Sequence, residues 1–148
     1  MDARFLKLIT DLQLHLQAQK NLLSSYTVQV KPDKEDNLVW IKDHLGEIGQ
    51  TSAHYEVRLE DDIVYVEIHF EDKKISNRQF FKHSGDLPQN IEPFIWWDTI
   101  SYRYKRTKVY KMTDVDILDY ITQGLLTLDR FLGNHVRKVL GRLKKAKI

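Results

Sequence analysis

The stretch that most constrains this chain runs from Tyr55 to Phe70. In its first half Tyr55, Val57 and Leu59 alternate with Glu56, Arg58 and Glu60; in its second Val64, Val66, Ile68 and Phe70 alternate with Tyr65, Glu67 and His69. A period of two sends successive side chains to opposite sides of a strand, so the pattern predicts a β-hairpin with one apolar side and one solvent-facing side. Glu60-Asp61-Asp62 joins the halves without a glycine, which predicts a loop of a few residues rather than a two-residue Asn-Gly turn. Such a hairpin is not stable alone in water, and its apolar side needs a cover of helices or a second sheet.

The segments on either side supply that cover. From Asp2 to about Ser24, Phe5, Ile9, Leu12, Leu16 and Leu23 recur at helical spacing. Leu6, Leu8, Leu14 and Leu22 widen the apolar arc enough to meet a second neighbour, either the chain's own sheet or another subunit, so a homodimer is among the expected partners. Tyr26 to Lys31 and Leu38 to Ile41 read as short strands joined by the polar turn Pro32–Asn37. Lys73 to about His83 predicts a short helix with Ile75, Phe80 and Phe81 inward. The aromatic run Phe94 to Tyr104 reads as one strand, with Phe94, Trp96, Ile100, Tyr102 and Tyr104 on one side and Ile95, Trp97, Ser101 and Arg103 on the other; a turn at Lys105-Arg106-Thr107 then returns the chain through Val109 and Met112. The last helix begins at Thr113-Asp114 and carries Leu118, Ile121, Leu125, Leu128, Leu132, Val136, Val139 and Leu143. Gly124, Gly133 and Gly141 each cost it up to about 1 kcal/mol relative to Ala unless close packing uses the missing side chain. The prediction is a single α+β domain over residues 1–148: an antiparallel sheet of about four to six strands, covered by the N-terminal and long C-terminal helices, with a short helix between two hairpins and a basic tail at 144–148.

Composition narrows the chemistry. The 148 residues contain no cysteine, which removes disulfides, thiolate metal sites and cysteine nucleophiles. No apolar run reaches the ~18 residues of a membrane span, and no leader is recognisable, so a cytoplasmic, bacterial protein without a membrane partner is expected. The net charge of +2 conceals an asymmetry: residues 33–72 hold twelve acidic and three basic residues, whereas residues 73–111 hold nine basic and three acidic. Either an anionic partner meets the basic part, or the two parts pair within the fold.

Gly46 and Gly49 lack the third glycine of a dinucleotide fingerprint and the Gly-Lys-Ser/Thr of a P-loop, so no nucleotide cofactor is expected. His15, His44, His54, His69, His83 and His135 show no helical i, i+4 pair and no His-Glu-x-x-His, and no metal ligand is assigned. There is no Gly-x-Ser-x-Gly elbow, and Ser84-Gly85-Asp86 reads as a turn. A magnesium-dependent nuclease would draw on Glu56, Asp62, Glu67 and His69, but His69 stands where an Asp…Glu-x-Lys pattern carries lysine, and alternation alone accounts for Glu67 and His69 as solvent-facing. No catalytic residue is therefore assigned. Aromatics and cations interleave from Tyr102 to Lys111, where Lys and Arg would neutralise phosphates and an exposed aromatic would stack on an unpaired base. The candidate nucleic-acid contacts are Trp97, Arg103, Lys105, Arg106, Lys108 and Lys111, extended by Arg142, Lys144 and Lys145 at the basic end of the last helix.

From about Ala53 to Leu143 the chain resembles an uncharacterised bacterial and archaeal domain, often attached to restriction-type endonucleases or standing alone in defence-associated loci. The resemblance rests on Val64-Tyr65-Val66-Glu67-Ile68-His69-Phe70, on Phe80-Phe81, on Trp96-Trp97 opening a basic strand pair, and on the final helix ending in Arg and Lys. It implies a non-catalytic accessory or recognition role beside nucleic acid or a nucleic-acid-processing protein. The element order also resembles that of dimeric secretion chaperones, which implies the alternative of a dimeric protein-binding module.

Overall fold

The computed structural model describes residues 3–20, 22–30, 37–42, 47–48, 51–71, 88–96, 99–133 and 137–138. The chain is α+β. A first helix, α1 (Ala3–Gln17), and a 3-10 turn at Leu22–Ser25 lead into strands β1 (Thr27–Val30), β2 (Asn37–Lys42), β3 (Glu47–Ile48), β4 (Thr51–Glu60) and β5 (Ile63–Glu71). Strands β6 (Ile91–Trp96), β7 (Thr99–Tyr104) and β8 (Thr107–Lys108) follow, then helix α2 (Asp114–Leu128) and a π-helical turn at Asp129–Gly133. The sheet is antiparallel in the order β1-β2-β4-β5-β7-β6, with the two-residue β3 and β8 pairing alongside β4 and β5. Its long central hairpin, β4 with β5, is the alternating stretch Tyr55 to Phe70 extended at the open end.

One side of the sheet holds the core. Val39, Ile41, Tyr55, Val57, Val64, Val66, Ile68 and Tyr102 are all buried there. Helix α1 adds Phe5, Leu8, Ile9, Leu12 and Leu16, and α2 adds Ile117, Leu118, Ile121, Leu125 and Leu128. Each such side chain, once removed from water, contributes roughly 1.5–3 kcal/mol against the entropy of ordering the chain. The start of α2 is capped as its sequence predicts: Thr113 Oγ1 accepts a hydrogen bond from the Asp116 amide at 3.2 Å, and Asp114 and Asp116 lie at the positive end of the helix dipole. Gly124 is explained by close approach, because a Cβ there would lie 3.0 Å from the Tyr104 ring and 3.1 Å from Val66.

Several sequence readings change. The β4–β5 connection is a two-residue turn: Glu60 pairs with Ile63, and Asp61 and Asp62 both take positive φ, 51° and 59°. This is the conformation of a type I′ turn, and aspartate tolerates it better than most residues because its short side chain bonds locally. The aromatic run is not one strand. Trp96 pairs with Thr99, so the chain reverses between them, and Phe94 lies opposite Ser101 in the register while Pro93 lies opposite Tyr102. Lys105 to Thr107 is consequently not a hairpin tip; it carries the chain from β7 into β8, which pairs with β5. The final helix changes register at Asp129–Gly133 instead of running on in α form. The short helix expected at 73–83 and the tail at 144–148 lie outside the described residues.

Candidate functional site

The second side of the hairpin does not face solvent. His54, Glu56, Glu67 and His69 are 2%, 7%, 1% and 3% exposed. The antiparallel register explains their convergence, because His54 lies directly opposite His69 and Glu56 directly opposite Glu67. Residues two apart on one strand share its face, and directly opposed residues stand about 5 Å apart at Cβ, so the four side chains form one patch. Within it His54 Nε2 is 2.8 Å from Glu56 Oε1, and His69 Nε2 is 3.3 Å from Glu56 Oε2 and 3.5 Å from Glu67 Oε1.

Cations border the patch. Arg58 Nη2 is 3.2 Å from Glu67 Oε1, and Arg58 Nη1 is 3.1 Å from Glu60 on the same strand. Arg103 on β7 is the register partner of both Glu67 and Glu92. Its Nε is 3.8 Å from Glu92, which also pairs with Arg106 at 3.2 Å. The Tyr65 ring takes Arg58 at 4.5 Å and Arg103 at 5.7 Å, so both guanidiniums pack against its face. These ion pairs each lie within one segment, Arg58 with Glu60 and Glu67 in the acidic one and Arg103 and Arg106 with Glu92 in the basic one, while the register sets Arg103 opposite Glu67.

This arrangement sorts the sequence candidates. Arg103 is directed into the polar layer, its side chain only 17% exposed. Lys105, Arg106, Lys108 and Lys111 are exposed on the path from β7 to α2, together with Tyr110 at 60%. Lys111 Nζ sits 5.5 Å from the Tyr110 ring centroid. Trp97, Arg142, Lys144 and Lys145 lie outside the described residues. Of the four nuclease candidates, Glu56, Glu67 and His69 come together, while Asp62 remains on the exposed β4–β5 turn.

His54 escaped the sequence reading, although a signal for it exists. His-x-Glu at 54–56 and Glu-x-His at 67–69 are mirror images about Asp61-Asp62. With a two-residue turn the mirror becomes a register; with a longer loop the pairs slip past one another.

A second polar centre lies on the helix-covered side. Asp129 Oδ1 accepts hydrogen bonds from Tyr55 Oη at 2.8 Å and Tyr26 Oη at 3.2 Å, and the same carboxylate pairs with Arg137. Burial is the main cause raising both phenols above the usual tyrosine range, and the Asp129 charge adds to it. A Cβ on Gly133 would collide with Asp129 Oδ1 and lie 3.1 Å from Tyr55 Oη. The π turn therefore brings the carboxylate onto the two tyrosines, and glycine leaves room for it. This centre fastens the end of α2 to β1 and β4. Toward the other end of α2, between α1, α2 and the sheet, is a small cavity of about 60 Å³ lined by Phe5, Leu8, Val57, Val64 and Ile117, with Arg4 and Asp62 as its charged groups.

No family model matches the chain, and neither the curated proteins nor the solved structures contain a significant match to it.

Proposed function

We propose that this chain is a non-catalytic accessory or recognition domain that contacts the phosphate backbone of nucleic acid through the segment Lys105 to Lys111. The observation that supports it is the exposure of four cations, Lys105, Arg106, Lys108 and Lys111, beside an exposed Tyr110 within seven residues. Cations so placed neutralise phosphates and release counterions, and an accessible aromatic ring stacks on an unpaired base. Arg103 belongs to the interior pairing with Glu92 and Tyr65, so in this reading it positions the strand and does not touch the ligand.

Fluorescence anisotropy with labelled single-stranded and duplex oligonucleotides tests the proposal. Wild-type protein is expected to bind at low salt, single strands more tightly. Replacing Lys105, Arg106, Lys108 and Lys111 with Ala should flatten the dependence of log K on log salt by about 0.7 for each phosphate that these side chains neutralise. Tyr110→Ala should remove the single-strand preference and leave the slope unchanged. Absence of wild-type binding at low salt sinks the proposal.

A second reading, a dimeric protein-binding module, draws on Leu6 and Leu14, which α1 leaves 48% and 62% exposed. Sedimentation as a monomer at micromolar concentration sinks that one.

A further inference from the structure

We infer that His54, Glu56 and His69 form a binding site for a divalent first-row transition metal such as zinc, held between β4 and β5 with Glu67 flanking it. Two observations carry this independently of the nucleic-acid reading. The first is convergence: one ligating atom from each of His54, Glu56 and His69 lies within 4.8 Å of the other two, although no two of these residues are adjacent in sequence. Metal–nitrogen and metal–oxygen bonds of about 2.0–2.2 Å in a tetrahedral set place neighbouring donors about 3.3 Å apart. Glu56 faces both imidazoles at distances of that order, with Oε1 2.8 Å from His54 Nε2 and Oε2 3.3 Å from His69 Nε2.

The second is burial without satisfaction. Glu67 is 1% exposed, and neither of its carboxylate oxygens accepts a hydrogen bond from the described residues, although Arg58 and His69 stand within ion-pair distance. A carboxylate removed from water normally has its lone pairs filled, because leaving one unsatisfied costs several kcal/mol.

The donor set selects the ion. Two imidazoles and a carboxylate match zinc and ferrous iron, whereas magnesium and calcium call for oxygen ligands. Burial of every donor places the ion among those that stabilise a fold, where metal affinity adds directly to folding free energy.

The test is zinc titration of the chelator-treated full chain by calorimetry, with thermal unfolding followed in parallel. One Zn²⁺ per chain is expected, and free zinc a thousandfold above Kd should raise Tm by about 10 °C. Co²⁺ in place of zinc should show the visible d–d bands of a four-coordinate nitrogen and oxygen site. His54→Gln and His69→Gln should each abolish the Tm increment, Glu67→Gln should weaken binding about 10- to 100-fold, and His15→Ala, on the far helix, should change nothing. The wild-type titration needs no variant to fold, so it decides the matter even if the histidine variants do not. Wild-type protein that binds no zinc at tens of micromolar overturns the proposal, as does zinc binding that survives both histidine substitutions.

Discussion

The two faces of the central hairpin belong to the same pair of strands, and over its open half both are buried, yet with opposite kinds of side chain. On the helix side Val57, Val66 and Ile68 share one core with Leu125, Leu128 and Leu12, all with 2% exposure or less. On the other side the residues at 7% exposure or less include the polar His54, Glu56, Glu67 and His69. Apolar burial is additive and tolerant of small shifts, since each contact is weak and non-directional. Polar burial is conditional: a paired group contributes little net stability, but an orphaned one carries the full desolvation penalty. The proposed metal site supplies what such a polar face lacks, since metal affinity at buried donors adds to folding free energy.

Three changes probe the contrast. The largest effect belongs to the apolar side, where Leu125→Ala should destabilise the protein by about 3–4 kcal/mol, the sum of lost transfer energy and a cavity that rigid neighbours cannot fill. Urea unfolding would measure it as a lower midpoint at unchanged m-value. A smaller loss would mean that α2 can settle onto Val66 and Ile68.

On the polar side a single truncation and a paired replacement should diverge. Arg58→Ala leaves Glu67 without its nearest guanidinium and should cost about 2–3 kcal/mol, whereas Arg58→Leu with Glu67→Leu in the same chain should cost much less. Urea unfolding of metal-free protein makes this comparison. Equal losses in the two variants would mean that the ion pair itself stabilises the layer.

The smallest effect lies where both means meet, at Asp129. Tyr55→Phe removes one hydrogen bond to that carboxylate and should cost about 1.5 kcal/mol at neutral pH. Its pH dependence carries a definite sign. Tyr26, Tyr55 and Tyr120 are raised above the usual 10.0, mainly by burial, so the fold keeps protons that the unfolded chain releases. The stability they contribute is complete below about pH 10 and is lost as pH rises beyond it. Denaturation midpoints should therefore be flat from about pH 8 to about 9.5 and fall above about 10, and Tyr55→Phe should reduce the slope by about 1.4 kcal/mol per pH unit. An equal slope in the variant would show that Tyr55 does not hold its proton through the transition.

Local pattern and long-range register account for what could and could not be read in advance. The strands at 55–60 and 63–70, the helical face of Phe5, Ile9, Leu12 and Leu16, and the cap at Thr113 were all legible, because each depends on residues within a turn or two of one another. The reversal between Trp96 and Thr99 was missed because no glycine, proline or asparagine marks it and the apolar alternation resumes beyond it; Asp98, a polar residue on the otherwise apolar side, was the signal that it breaks there. The turn at Asp61-Asp62 was placed correctly but its two-residue length was not, because no glycine or asparagine marks it, and with the length went the facing of His54 and His69.

By itself the sequence determined the α+β class, the apolar side of the hairpin and the helices that cover it, since periodicity is a property of neighbouring residues. Which polar residues meet was decided only by the tertiary structure. A one-residue difference in turn length moves every cross-strand partner, and such a difference changes no local propensity. The same positions, Glu56, Glu67 and His69, that alternation assigned to water became a buried cluster once the fold set their partners and removed the solvent.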